Sequence, residues 1–385
     1  MGGAALEIDK DDMRQVFLYG TLCHAPLLEA VLGHAPEMMP AELPGHAVLA
    51  VPGAAYPRIV AQPGSRAIGV LIEVGEGDLA RLDYYEGGFG YARRQVNVSA
   101  EDGSLRPAQV YFPPSDGAAQ SGPAWSLHGW AARWGAVTVE AARDVMRNFP
   151  DRPAREVMRR YPMILGRAAS RLRARADAPA TLRRAAAPAD VEIEQLRQPY
   201  ANYFAVEEAD LRFRRFDGSM SPAVTRAGFV INDAVTVLPY DPARDRVMVI
   251  EQFRAGPHLR GDANSWSLEP IAGRVDGDET PHDAAHREAG EEAGLPLTRL
   301  EEIAAYYPSP GAVTEFLYSY LAVAELPDAA QGLGGVASEA EDIRAHVISF
   351  DALMDLIVRG EVLNGPLLLS ALWLQRERER LRAGA

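Results

Sequence analysis

The pattern of apolar and polar positions divides the chain into three textures. Residues 14 to about 115 carry short apolar runs punctuated by glycine and proline: QVFLYGTL, HAVLAVPG, AIGVLIEV, YARRQVNV and PAQVYF. Runs of this length between turn-forming residues predict strands. Only LLEAVLG and GDLARLDYYE have helical spacing, so the region reads as a small α+β domain. PPSDGAAQSGP, residues 113–123, is a loop by composition. From Trp125 the apolar positions recur at helical spacing, in WSLHGWAARWGAVTVEAARDVMRNF and AREVMRRYPMILGRAASRLRARA. APATLRRAAAPAD, residues 178–190, has the composition of a linker. From Val191 a second α/β pattern begins. AVTVLPY and VMVIEQFR flank the turn-forming DPARD and predict a hairpin. A carboxylate-rich helix, a Pro/Gly loop, the strand FLYSYLAVAEL and a C-terminal helix follow. The expected organisation is a domain over 14–115, a helical basic connector and linker over 116–190, and a second domain over 191–380.

Composition narrows the function. A chain of 385 residues suits two domains, and 48% hydrophobic with 24% charged residues suits ordinary cores. The net charge of -14 argues against a nucleic-acid partner, because phosphate backbones need Lys and Arg. No apolar run reaches the length of a membrane span, and the first residues do not have the form of a signal peptide. The single cysteine, Cys23, cannot form an intrachain disulfide, so a reducing cytoplasm is expected and the thiol reads as buried and inert. Lys10 is the only lysine, so abundant arginine reads as compositional bias rather than phosphate recognition. The arginines between Arg155 and Arg175 read as a solvated face packed on acidic neighbours elsewhere in the chain.

The stretch GRVDGDETPHDAAHREAGEEAGL carries the chemistry. Asp283 to Ala293 is rich in Ala and Glu, lacks proline and ends at Gly294, a natural helix stop. Glu288, Glu291 and Glu292 are spaced i, i+3, i+4, which puts three carboxylates on one helical face. Like charges so placed oppose the helix by ~0.2–0.5 kcal/mol per pair. A hard divalent cation converts that repulsion into coordination.

Gly273, Glu279, Arg287, Glu288, Glu291, Glu292, Gly294 and Leu295 match the Nudix box, G-x5-E-x7-R-E-U-x-E-E-x-G-U, with Ala289 a small residue at the aliphatic position. The chain thus resembles Nudix hydrolases. The resemblance implies a C-terminal α/β/α sandwich with a mixed sheet. It also implies Mg²⁺, for which Mn²⁺ can substitute, on Glu288, Glu291, Glu292 and the Ala272 carbonyl, with Glu291 also in the catalytic set and Arg287 orienting the glutamates. Outside the box, LEPIAG at 268–273, SPGAVTE at 309–315 and SEAEDIRAHVIS at 338–349 resemble ADP-ribose pyrophosphatases. That resemblance implies hydrolysis of ADP-ribose to AMP and ribose 5-phosphate by a homodimer. Glu339, then Glu341, are the candidate bases; Arg226, Arg254, Glu269, Pro310 and Glu315 are the candidate substrate contacts. Another nucleotide sugar or NADH as substrate, or a sensor that binds ADP-ribose with little turnover, are the alternatives.

In the N-terminal region, Tyr19-Gly20-Thr21-Leu22 and Glu86, the latter within LDYYEGGFG, resemble the γ-glutamylcyclotransferase-like family. This implies an α+β domain with a small β-barrel, Tyr19 to Leu22 cradling a substrate, and Glu86 moving a proton from its α-amine. The sequence leaves activity there open. The two domains together resemble two-domain Nudix proteins named for tellurite resistance, a phenotype that supplies no mechanism.

Overall fold

The computed structural model describes residues 13–52, 54–114, 122–176, 179–295, 297, 299–335 and 341–384. The chain forms two compact units, residues 1–173 and 174–385.

The first unit is built on a closed barrel. Its strands are β1 (Arg14–Leu18), β2 (Met39–Ala50), β3 (Pro57–Val74), β4 (Ala92–Ala100) and β5 (Leu105–Phe112), in the order β1-β3-β2-β4-β5. β1 pairs antiparallel with β3 and parallel with β5, which closes the ring. Helix α1 (Ala25–Leu32) follows β1, and α2 (Glu76–Gly88) lies between β3 and β4. β2 and β3 are longer than HAVLAVPG and AIGVLIEV predict, because Gly45, at φ 71°, absorbs a register shift between Pro44 and His46 and the strands continue past it.

Helices α3 (Leu127–Trp130) and α4 (Ala136–Met146) run together through a π-helical turn; α5 (Ala154–Met158) and α6 (Tyr161–Ala174) follow. They bury Val137, Ala141, Val145, Val157 and Ile164 in one core with Leu27, Leu28 and Leu82 of α1 and α2. The basic segment is not simply a solvated face. Arg160 and Arg167 are buried, and Arg171 pairs with Glu140 and Asp144 of α4. The acidic neighbours are therefore local, one helix away.

The second unit begins with a three-stranded sheet, β6 (Val191–Ala201), β7 (Ala205–Phe213) and β8 (Val224–Val230). An eight-stranded mixed sheet follows. It contains β9 (Ala234–Asp241) and β10 (Arg246–Phe253), then α7 (Ala255–Arg260), β11 (Trp266–Glu269), β12 (Ile271–Arg274), α8 (Pro281–Ala293), β13 (Arg299–Tyr306), β14 (Leu317–Val323), β15 (Gly332–Gly334) and β16 (Ile343–Ser349), closing with α9 (Phe350–Arg359) and α10 (Gly365–Ala383). The strand order is β13-β14-β9-β10-β16-β15, with β11 on β10 and β12 on β9. α8 covers one face through Ala284, Ala285 and Ala289 against Val235, Val237 and Ile271. α9 and α10 cover the other through Leu353, Leu367, Ala371 and Leu374 against Leu238 and Tyr240. This is the expected sandwich of helices about a mixed sheet. The predicted hairpin forms only at its base, Asp241 to Arg246 and Tyr240 to Val247; beyond that β12 takes β9 and β11 takes β10, while β16 pairs with the other edge of β10. Among the described residues no helix is long and apolar enough to cross a membrane.

Candidate functional site

The acidic helix starts earlier than its glutamates suggest. Thr280 caps α8: its hydroxyl accepts from the Asp283 N–H at 3.2 Å, and Pro281 occupies the first helical turn. Gly294 ends it at φ 61°. α8 lies against β12, and Gly273 is the point of closest approach, since a Cβ there would collide with the Glu288 carboxyl. Glu292, 3% exposed, turns its Oε2 to the Ala272 N–H at 3.2 Å.

Arg287 holds the cluster together. Its guanidinium donates to Glu279 at 2.7 Å, Glu288 at 2.7 Å, Glu291 at 3.0 Å and the Arg274 carbonyl at 2.9 Å. Glu279 also accepts from the Asp276 N–H at 2.9 Å, which ties the loop before α8. Burial pushes the Glu288 carboxyl up to about 7 even beside Arg287, and burial pushes Glu292 up to about 8. Glu341, just before β16, adds to both shifts, so its carboxylate lies near these two acids.

These residues suit a hard divalent cation by donor chemistry. They offer carboxylate oxygens, two of them on buried groups whose charge the protein does not fully compensate. As they stand, no three acidic or imidazole side chains among the described residues converge on one point. Glu288 and Glu291 face Arg287, and Glu292 faces Ala272.

Comparison with known proteins bears on the same segment. The NUDIX domain model matches residues 230–364. The ADP-ribose pyrophosphatase of Escherichia coli (strain K12) is 36% identical over 194 residues, covering 50% of this chain and 91% of that protein. The chain belongs to the Nudix hydrolases. The ADP-ribose pyrophosphatase of Haemophilus influenzae is 33% identical, over 48% of this chain and 86% of that protein. The GDP-mannose pyrophosphatase of Enterobacter sp. (strain 638) is 30% identical, over 45% of this chain and 89% of that protein. The first unit matches the model described as gamma-glutamyl cyclotransferase, AIG2-like, over residues 16–132.

Around the Nudix box the other candidate residues are distributed unevenly. Arg254, at the end of β10, pairs with buried Glu269 of β11 at 2.7 Å, and its charge interacts with Glu292. Glu315 pairs with Arg274 of β12. Pro310 is exposed in the loop between β13 and β14. Arg226 is exposed on β8, in the three-stranded sheet, and donates to the Thr225 carbonyl at 3.0 Å. Glu339 lies outside the described residues.

The first unit contains a cavity of about 250 Å³ whose lining includes Tyr19, Gly20, Thr21 and Leu22 after β1 and Glu86 on α2. Both sequence motifs of this unit therefore meet at one place. Burial among the surrounding tyrosines pushes the Glu86 carboxyl up to about 7. Arg58 and Thr138 line the same cavity, and no sequence motif marks either. Cys23, beside the motif, donates to the Leu18 carbonyl at 3.2 Å, and burial pushes its thiol up to about 12, which keeps it unreactive.

Proposed function

We propose that the second unit hydrolyses the pyrophosphate of ADP-ribose, giving AMP and ribose 5-phosphate, with Mg²⁺ as cofactor and Mn²⁺ able to replace it. The observation that carries this reading is the Arg287-bound glutamate cluster of α8 packed on Gly273 of β12, in a chain so similar to ADP-ribose pyrophosphatases. Glu288, Glu291, Glu292 and the Ala272 carbonyl would hold the ion. When bound, the ion neutralises charge growing on the phosphoryl oxygens and acidifies water. Arg287 holds Glu291 and Glu288 through one guanidinium, with Glu288 packed on Gly273 of β12. A carboxylate of the segment before β16, Glu339 or Glu341, takes the proton of the attacking water. The proximity of Glu341 to Glu288 and Glu292 supports its assignment. Arg254, fixed by Glu269, supplies positive charge for a substrate phosphate or ribose; Arg226, Pro310 and Glu315 are the further contacts we assign.

A GDP-mannose pyrophosphatase at 30% identity supports a second reading, in which another nucleotide sugar is the substrate. A substrate panel decides. The purified chain should release AMP from ADP-ribose faster than it cleaves GDP-mannose or NADH, and only with Mg²⁺ or Mn²⁺. Full activity in EDTA would reject the cation, and preference for GDP-mannose would reject ADP-ribose.

We assign the enzyme to the cytoplasm and to a homodimer. The dimer reading rests on the three-stranded sheet, where Val191, Ile193, Leu196, Tyr200 and Phe213 are exposed. For the first unit we read the Glu86 cavity as the seat of the α-amine of a γ-glutamyl compound, with Tyr19 to Leu22 as its wall.

A further inference from the structure

Helix α8 carries two histidines that the glutamate cluster does not use. His282 and His286 are both exposed and stand four residues apart, so they sit one above the other on the helix surface. Their ring centres are 4.8 Å apart, and the ring planes meet at 51°. Among the described residues neither imidazole makes a hydrogen bond or an ion pair. Asp283, beside His282, is spent on the helix cap, where its carboxylate accepts from the Thr280 hydroxyl at 2.7 Å.

The separation of the rings is the one a shared ion requires. A metal–nitrogen bond of ~2.0–2.1 Å, carried on to the ring centre, places two imidazoles on one ion about 5 Å apart. Two histidines at i, i+4 on one helical face are also the pair around which helical zinc sites are built. The helix fixes both backbone positions in advance, so only side-chain rotation remains to be ordered when an ion binds.

This patch is separate from the glutamate cluster. At about 100° per residue, the histidine pair lies roughly 150° round α8 from the mean direction of Glu288, Glu291 and Glu292. The two faces also differ in chemistry. Carboxylates suit a hard cation such as Mg²⁺, whereas imidazoles suit Zn²⁺, Ni²⁺ and above all Cu²⁺. Among the described residues no third acid, imidazole or thiol completes a ligand set. Water would fill the remaining coordination positions.

We propose that His282 and His286 form a second cation site on α8, a two-imidazole chelate for a divalent transition metal, Cu²⁺ before Ni²⁺ or Zn²⁺. An ion held there clips together successive turns of the helix just ahead of Arg287, the residue that gathers the glutamates.

The test is Cu²⁺ binding to the full chain, stripped of metal and then supplied with excess Mg²⁺ to occupy the glutamate cluster. Pulsed electron paramagnetic resonance counts the imidazoles on copper, because the remote nitrogen of each ligating ring modulates the echo. In the wild type the tightest-bound Cu²⁺ should carry two imidazoles. His282→Gln and His286→Gln should each reduce the signal to one imidazole or none. Each should also weaken binding about 10-fold or more, since even outer-shell partners of a metal ligand carry that weight. Both positions are exposed, so the variants should unfold at the wild-type temperature. A wild-type copper with a single imidazole overturns the proposal. So does a two-imidazole signal of unchanged affinity in either variant, which would place the copper on other histidines of the chain. Failure of the wild type to bind Cu²⁺ at micromolar concentration overturns it as well.

Discussion

Glu341 and Glu292 are both acids near the Nudix box, yet they should fail differently when neutralised. Glu292 is almost fully enclosed against β12, and an amide in its place removes a charged donor from the cation site. Glu292→Gln should weaken Mg²⁺ binding and with it activity. Glu341→Gln should leave Mg²⁺ binding nearly unchanged and lower kcat by ~10²–10⁴-fold, the ordinary weight of a positioned general base, with little change in substrate affinity. Metal titration and steady-state kinetics of both variants, with Glu339→Gln beside them, measure this. Near-normal kcat in Glu341→Gln together with a large loss in Glu339→Gln would move the base two residues upstream. The three helix glutamates were legible in the sequence because a helix converts spacing into a common face. The loop acids Glu339 and Glu341 were named only through the resemblance, since an irregular segment has no period to read. Arg58 escaped notice for a related reason: a lone arginine in a strand carries no pattern, and only the folded unit places it on the cavity that Glu86 also lines.

At the level of elements, the contact between α8 and β12 is set by what β12 lacks. Gly273 has an ordinary backbone and is required for space, because Glu288 occupies the volume where a side chain would begin. Gly273→Ala should therefore push Glu288 out of place while the capped helix persists. The expected result is at least a 10-fold loss of ADP-ribose hydrolysis with a retained helical circular dichroism signal; wild-type kcat in this variant would show that α8 and β12 yield without cost. Gly294 made the end of this helix readable, whereas the sequence reading began it at Asp283, two residues late, without the cap that Thr280 supplies. Strand ends were harder. β3 runs through Pro63 and Gly64, residues that read as punctuation, because β2 pairs with it up to Ala61 and again from Arg66, so the residues between bulge without ending the strand. The hairpin of β9 and β10 was legible at its turn, whereas the insertion of β12 beside β9 depends on residues far along the chain.

The whole molecule joins a barrel without edges to a unit that begins with an open three-stranded sheet. Its exposed Ile193, Tyr200, Tyr203 and Phe204 present apolar area beside the outer edge of β6, which among the described residues pairs only with β7, a combination that isolated chains seldom leave uncovered. Light scattering at micromolar concentration should report a dimer, and Ile193→Asp with Tyr200→Asp should shift it to monomer with reduced ADP-ribose turnover. A wild-type monomer with full activity would reject the dimer. The three textures of the chain were legible from its apolar pattern, while the homodimer came only from the resemblance, because exposure is a property of the folded surface. One local arrangement also sets how the molecule as a whole responds to its surroundings. Arg287 already neutralises part of the acid cluster from within, so the second unit can complete its fold before any ion arrives. Unlike a small domain stapled by zinc, which collapses when stripped, this one should rest intact and idle. The cell's free divalent cation level would then govern how fast the enzyme works, while the amount of folded enzyme stays the same.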